Sequence, residues 1–145
     1  MGKMESLEHA HAISQGLMDI GAAAEASGMS VKMIRHYEAI GLLPKVARTF
    51  ANYRVYTPQN VHTLRFIKRA RTLGFSIEDI RELLGLWQNK SRPSASVKKL
   101  AAKHIDELKR KVAELNAMLA TLENLNHHCH GDTRPDCPIL DDLAR

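Results

Sequence analysis

A chain of 145 residues with 44% apolar content suffices for one small head plus an extended element, and no stretch approaches the roughly 18 consecutive apolar residues of a membrane span. The net charge of +5 is unevenly laid out: nine Lys and Arg against three Asp and Glu over residues 19–75, eleven against eleven over 76–145. Such a localised basic segment attracts a phosphate backbone, because neutralising phosphates releases condensed counterions; a solvated basic face is the plainer alternative.

Residues 1–17 lack the apolar core of a signal peptide and show little periodicity, which predicts a disordered extension on a cytoplasmic protein, with Met18 well placed as a start. From Asp19 the pattern is short helix, turn, short helix. Ile20, Ala23 and Ala24 give an apolar face, Gly28 breaks the chain, and Ser30 caps a helix over Val31 to Ile40 that Gly41 stops. On that second helix Val31, Ile34 and Ala39 are expected inward, with Lys32, Arg35, His36 and Tyr37 partly outward. Leu43 to Tyr56 reads as a two-stranded ribbon around a polar turn, a basic and aromatic wing beside the helix-turn-helix.

Thr57 and Pro58 start a helix running to about Leu73, with Val61, Leu64, Ile67 and Ala70 inward, Lys68, Arg69 and Arg71 outward, and Gly74 at its end. Ser76 and Asp79 suggest a capping box for a helix whose stripe is Ile77, Ile80, Leu83, Leu84 and Trp87. Asn89 to Ser94 has linker composition. Beyond it Ala101, Ile105, Leu108, Val112, Leu115, Leu119 and Leu122 alternate spacings of four and three, the seam of a coiled coil. A helix from about Ser96 to Asn126 is roughly 45 Å long, too long to cover its stripe on a small head, and a second copy is the natural partner. The expected organisation is an extension over 1–17, a winged helix-turn-helix head over 18–88, a linker and dimerisation helix over 89–126, and a loop with a short helix over 127–145. The fold class is mostly α.

The chain holds two cysteines, Cys129 and Cys137, in His-His-Cys-His-Gly-Asp-Thr-Arg-Pro-Asp-Cys-Pro. A reducing cytoplasm makes them metal ligands or inert thiols rather than a structural disulfide, and the absence of Cys-x-x-Cys argues against a dithiol oxidoreductase. No nucleophile, base and orienting group assemble outside the basic segment, so an enzyme is not expected.

The order of parts, with Lys32-Met-Ile-Arg-His-Tyr-Glu38, Gly41-Leu-Leu43, Arg48-x-x-x-Asn-Tyr-Arg-x-Tyr56, Leu73-Gly-Phe-Ser-Ile77 and the cysteine loop, resembles the MerR family of transcriptional regulators from Met18 onward. The loop residues resemble its copper-efflux branch, the cytosolic Cu(I) sensors. The resemblance implies operator contacts by Lys32, Arg35 and Tyr37 on the recognition helix and by Arg48, Tyr53 and Arg54 on the wing. For Tyr37 and Tyr53, core packing is an equal alternative, and both roles are compatible. Asn52 stands where the family usually has glycine, a position Asn tolerates because it visits the left-handed region. His36 stands where an aromatic is common.

Two soft thiolates hold Cu(I), Ag(I) or Au(I) linearly without a third donor. Zn(II) is the competitor, since His127, His128, His130 and Asp132 are at hand to complete a tetrahedral set. In the family's zinc and lead sensors a further cysteine opens the dimer helix, whereas the Cu(I) branch has serine; Ser94 occupies that setting here. The resemblance further implies a homodimer on a promoter whose elements are spaced too far apart for RNA polymerase. Metal binding then distorts the duplex and activates efflux genes. The alternatives are a regulator answering Zn(II) or another divalent ion, and a Cu(I)-buffering protein.

Overall fold

A computed structural model describes residues 16–145. The predicted N-terminal extension therefore lies outside the described residues, apart from Gly16 and Leu17. Among the described residues six helices follow one another: α1 (Ile20–Ser27), α2 (Val31–Ala39), α3 (Pro58–Thr72), α4 (Ile77–Gln88), α5 (Ser94–His128) and α6 (Pro138–Leu143). The chain forms two compact units that meet in sequence at Val97 and Lys98.

Local chemistry sets the helix starts in the first unit. The side chains of Asp19, Ser30, Thr57 and Ser76 each accept a backbone N–H from the first turn, satisfying a donor that the helix cannot. At α3 the cap is reciprocal: Asn60 N–H donates to Thr57 Oγ1 at 3.1 Å, and Thr57 N–H donates to Asn60 Oδ1 at 2.9 Å. Cationic side chains tie the far ends. Arg65 donates twice to Ala26 O at 3.0 and 2.8 Å, Lys68 Nζ to Gly28 O at 2.8 Å, and Arg81 to Ile40 O at 2.9 Å. Lys68, expected outward, is thus a brace on the end of α1. Each cation meets carbonyls that a helix end leaves unsatisfied and that carry its partial negative charge.

The core of this unit is built from Ala23, Ile34, Tyr37, Leu43, Tyr56, Leu64, Ile67 and Ile80, with neighbours from the same elements. Two expectations change. Tyr37 is buried and Ala39 exposed, the reverse of the predicted face, because Tyr37 follows Ile34 at the three-residue helical repeat and Ala39 falls well round the helix from it. The predicted ribbon reduces to isolated bridges, Arg48 with Arg54 and Met18 with Tyr56. Between the first two residues the chain turns tightly through Asn52, whose φ of 69° lies in the left-handed region that Asn was expected to tolerate. Trp87, on the predicted stripe of α4, stacks on Phe66 with ring centroids 4.8 Å apart.

Helix α5 has 35 residues, two longer than predicted at each end, and spans roughly 52 Å at 1.5 Å per residue. Along it Ile105, Leu108, Val112, Leu115, Met118, Leu119 and Leu122 are all exposed, between 39% and 59%. His104 is buried, with Nδ1 3.7 Å from Glu107 Oε2. Among the described residues no helix is long and apolar enough to cross a membrane.

Candidate nucleic-acid interface and thiol loop

Helix α2 follows α1 after a turn closed by Gly28, and its open side presents Lys32, Arg35 and His36, all exposed. Ile34 and Tyr37 anchor the opposite side in the core, so the cations are carried on a fixed helix. Tyr37, one of the two residues with alternative roles, has only 4% of its surface exposed, with the His36 ring beside it. Tyr53, the other, is 52% exposed on the wing.

The wing continues the basic surface. Arg35, Lys45, Arg48 and Arg54 line one open cleft between α2 and the wing, where the single carboxylate is Glu38. That carboxylate is already committed. Arg54 Nε lies 3.1 Å from Glu38 Oε2, and the Tyr56 hydroxyl donates a long hydrogen bond of 3.5 Å to the same oxygen. Burial, and then the Glu38 charge, push the Tyr56 hydroxyl above its ordinary pKa of 10.0. The cleft is therefore strongly positive, as a phosphate-binding surface requires.

Glu38 was not singled out as functional from sequence, although it is the one carboxylate between Glu25 and Glu78. It couples recognition helix to wing, because Arg54 and Tyr56 leave the wing and Glu38 leaves α2. The pair is largely shielded, the Glu38 side chain being 9% exposed and that of Arg54 29%. Glu38→Gln is accordingly expected to lower stability by about 1–3 kcal/mol, read as a drop in Tm, and to weaken DNA binding through a looser wing. An unchanged Tm would remove the coupling role.

At the C-terminal end, α5 closes in a turn in which Cys129 N–H donates to Asn126 O at 3.2 Å. Gly131, with φ of 65°, lets the chain reverse, and Cys137 stands at the N-cap of α6 without using its side chain as the cap. Both cysteines are free thiols of intermediate burial. Two of the other donors in the loop have partners: Asp132 accepts Arg134 N–H at 2.9 Å and pairs with Arg134 Nε at 2.7 Å, and His128 Nδ1 lies 2.8 Å from Asn124 O. Among the described residues, no group of three His, Cys, Asp or Glu donor atoms mutually within 4.8 Å includes either cysteine. The loop thus carries two thiol donors, and thiolates are soft ligands that select soft metal ions. Ser94, the expected selectivity position, is the first residue of α5 and is exposed.

A fixed helix presenting cations, a basic wing coupled to it and a long helix with an open apolar seam define a helix-turn-helix regulator that binds DNA. The family model described as MerR HTH family regulatory protein matches residues 18–86, and the one described as MerR, DNA binding matches residues 61–125. The chain belongs to the MerR family of transcriptional regulators and is not an enzyme. It is 56% identical to the HTH-type transcriptional regulator HmrR of Sinorhizobium medicae (strain WSM419) over 128 residues, covering 88% of this chain and 87% of the relative. It is 55% identical to heavy metal-dependent transcription regulator 2 of Rhizobium meliloti (strain 1021) over 127 residues, 88% and 86% of the two chains. Among solved structures, the regulator PbrR691 of Ralstonia metallidurans CH34 in complex with lead(II) superposes with a TM-score of 0.77 at 33% identity, covering 87% of this chain and 98% of that one.

Proposed function

We propose that this regulator is a homodimer that senses cytoplasmic Cu(I), with Ag(I) and Au(I) as chemical congeners, through Cys129 and Cys137, and activates copper-efflux and detoxification genes by distorting promoter DNA. The observation that carries the metal reading is the thiol loop, with two free thiols, Asp132 paired to Arg134 and His128 Nδ1 on Asn124 O. Linear two-sulfur binding satisfies a monovalent soft ion, whereas a divalent ion on the same pair is under-coordinated and draws in water or imidazole. Serine at position 94 adds no thiolate. A metal-dependent relative supports the response itself.

The open seam of α5 supports the homodimer, since a row of half-exposed aliphatic side chains along roughly 50 Å of helix is covered by a second copy of the same row. Two-fold symmetry presents two α2 helices and two wings to a palindromic duplex. Lys32, Arg35, Arg48, Tyr53 and Arg54 contact it, and Tyr37 holds the recognition helix from the core side. HiNmlR, a MerR family regulator, was solved bound to promoter DNA, and a promoter complex that includes RNA polymerase is the proposed output here. Cys129 and Cys137 control it by favouring one of two dimer conformations when they bind the ion; only a difference in affinity between those conformations can do so. Deforming a site of this size costs on the order of 1–6 kcal/mol, within reach of several phosphate contacts per subunit.

A second reading, a divalent-ion sensor, has two observations behind it: PbrR691 was solved with lead(II), and three histidines, His127, His128 and His130, flank Cys129 here. X-ray absorption of the protein loaded with Cu(I) under reducing conditions separates the two. Sulfur-only two-coordination is expected, and a mixed sulfur and nitrogen shell of four ligands overturns the reading. For the DNA face, Arg35→Ala or Arg48→Ala is expected to lower the salt slope of promoter binding by about 1 for each phosphate the variant no longer neutralises. A slope equal to that of the parent would exclude those residues as phosphate partners.

A further inference from the structure

Phe50 sits at the tip of the wing with 104% relative exposure, the highest of the exposed large hydrophobic side chains among the described residues. The turn that carries it is tightly determined. Asn52 N–H donates to Thr49 O at 2.8 Å, Thr49 N–H to Tyr53 O at 2.8 Å, and Tyr53 N–H to Thr49 Oγ1 at 3.2 Å. Arg48 Nη1 reaches Asn52 Oδ1 at 3.2 Å, and Asn52 takes the left-handed φ of 69° that closes the turn. A phenyl ring is thus held outward on a preorganised support and needs little further ordering when it meets a partner.

We propose that Phe50 is an apolar minor-groove contact, packing on sugar and base edges and adding DNA affinity that salt does not screen. The proposal rests on the DNA-binding reading of the head and extends it to a residue outside the charged set. Charge chooses the occupant. The ring shares the wing with Arg48, Arg54 and the half-exposed Tyr53, and the two guanidinium charges complement a phosphate backbone. A phenyl ring gains nothing from phosphates, but guanidinium groups seated on the backbone carry the tip to the adjacent groove. With α2 presented to the major groove, the minor groove, about 6 Å wide, admits a slender turn, and apolar wedges are a recurrent device of minor-groove binders.

The test is fluorescence anisotropy with the full-length protein and a labelled duplex carrying the promoter region that adjoins the gene, at several salt concentrations. Phe50→Ala is expected to weaken binding about tenfold at every salt concentration, with the salt slope of the parent retained. Phe50→Leu, which keeps apolar surface, is expected to recover most of that affinity. Both variants should melt with the parent, because the side chain packs into no core. Phe50→Ala binding indistinguishable from the parent overturns the proposal, as does intact binding with impaired transcription, which would assign the ring to a protein surface. Arg48→Ala distinguishes the two levels: a reduced salt slope in that variant beside an unaffected Phe50→Ala removes only the role of Phe50. Failure of the parent itself to bind removes the DNA-binding reading as well.

Discussion

Cys129→Ser and Cys137→Ser are each expected to bind promoter DNA as tightly as the parent and to lose metal-induced transcription completely. The reasoning is local. Neither thiol lies in the core of the head or makes a capping hydrogen bond, and serine is close in size, so folding and DNA binding have no reason to change. What changes is the donor. A hydroxyl is a hard, protonated ligand at neutral pH, and one remaining thiolate cannot complete linear coordination, so soft-ion affinity collapses. A gel shift and a run-off transcription assay on the same preparations read the two effects separately. Loss of DNA affinity in either variant would make the cysteines structural, and retained induction would place the ion elsewhere.

Leu115→Glu combined with Leu119→Glu is expected to convert the dimer to monomer and to weaken promoter binding by about 10² to 10⁴-fold. These side chains are 58% and 54% exposed in the middle of the α5 stripe, so a single chain tolerates the change. Glutamate is a good helix former, and far-UV circular dichroism should keep its helical signal. In a dimer, however, the same positions bring desolvated like charges together across the seam. Losing the dimer makes the second half-site a separate binding event, which is the origin of the large effect. Analytical ultracentrifugation gives the mass directly. A dimer that persists with unchanged DNA affinity would mean that α5 pairs through another face or not at all.

Punctuation and periodicity made most of the architecture legible in the sequence. Ser30, Thr57 with Pro58, Ser76 and the left-handed glycines 28, 41 and 74 mark helix ends because they satisfy or relieve the backbone locally, without help from distant residues. The heptad stripe and the short α6 were legible for the same reason. Tertiary pairing decided the rest. Whether Tyr37 or Ala39 turned inward depended on what α2 packs against, and the wing kept one bridge where alternation suggested paired strands. The helix-end braces made by Arg65, Lys68 and Arg81 join residues about forty positions apart, as their bonds to Ala26, Gly28 and Ile40 show, and no local pattern announces them. At the candidate site the residue types of the thiol loop were readable from spacing. The engagement of Asp132 by Arg134 and the coupling of Glu38 to Arg54 arise only in the folded chain.

The most direct test of the central claim is promoter-specific transcription by the dimer and RNA polymerase, titrated metal by metal under reducing conditions, with bound metal quantified in the same samples. Two thiolates acting alone predict induction by Cu(I), Ag(I) and Au(I) in step with the filling of the Cys129 and Cys137 pair, and none by Zn(II) or Pb(II). Induction by a divalent ion at that occupancy, with Cu(I) silent, would contradict it.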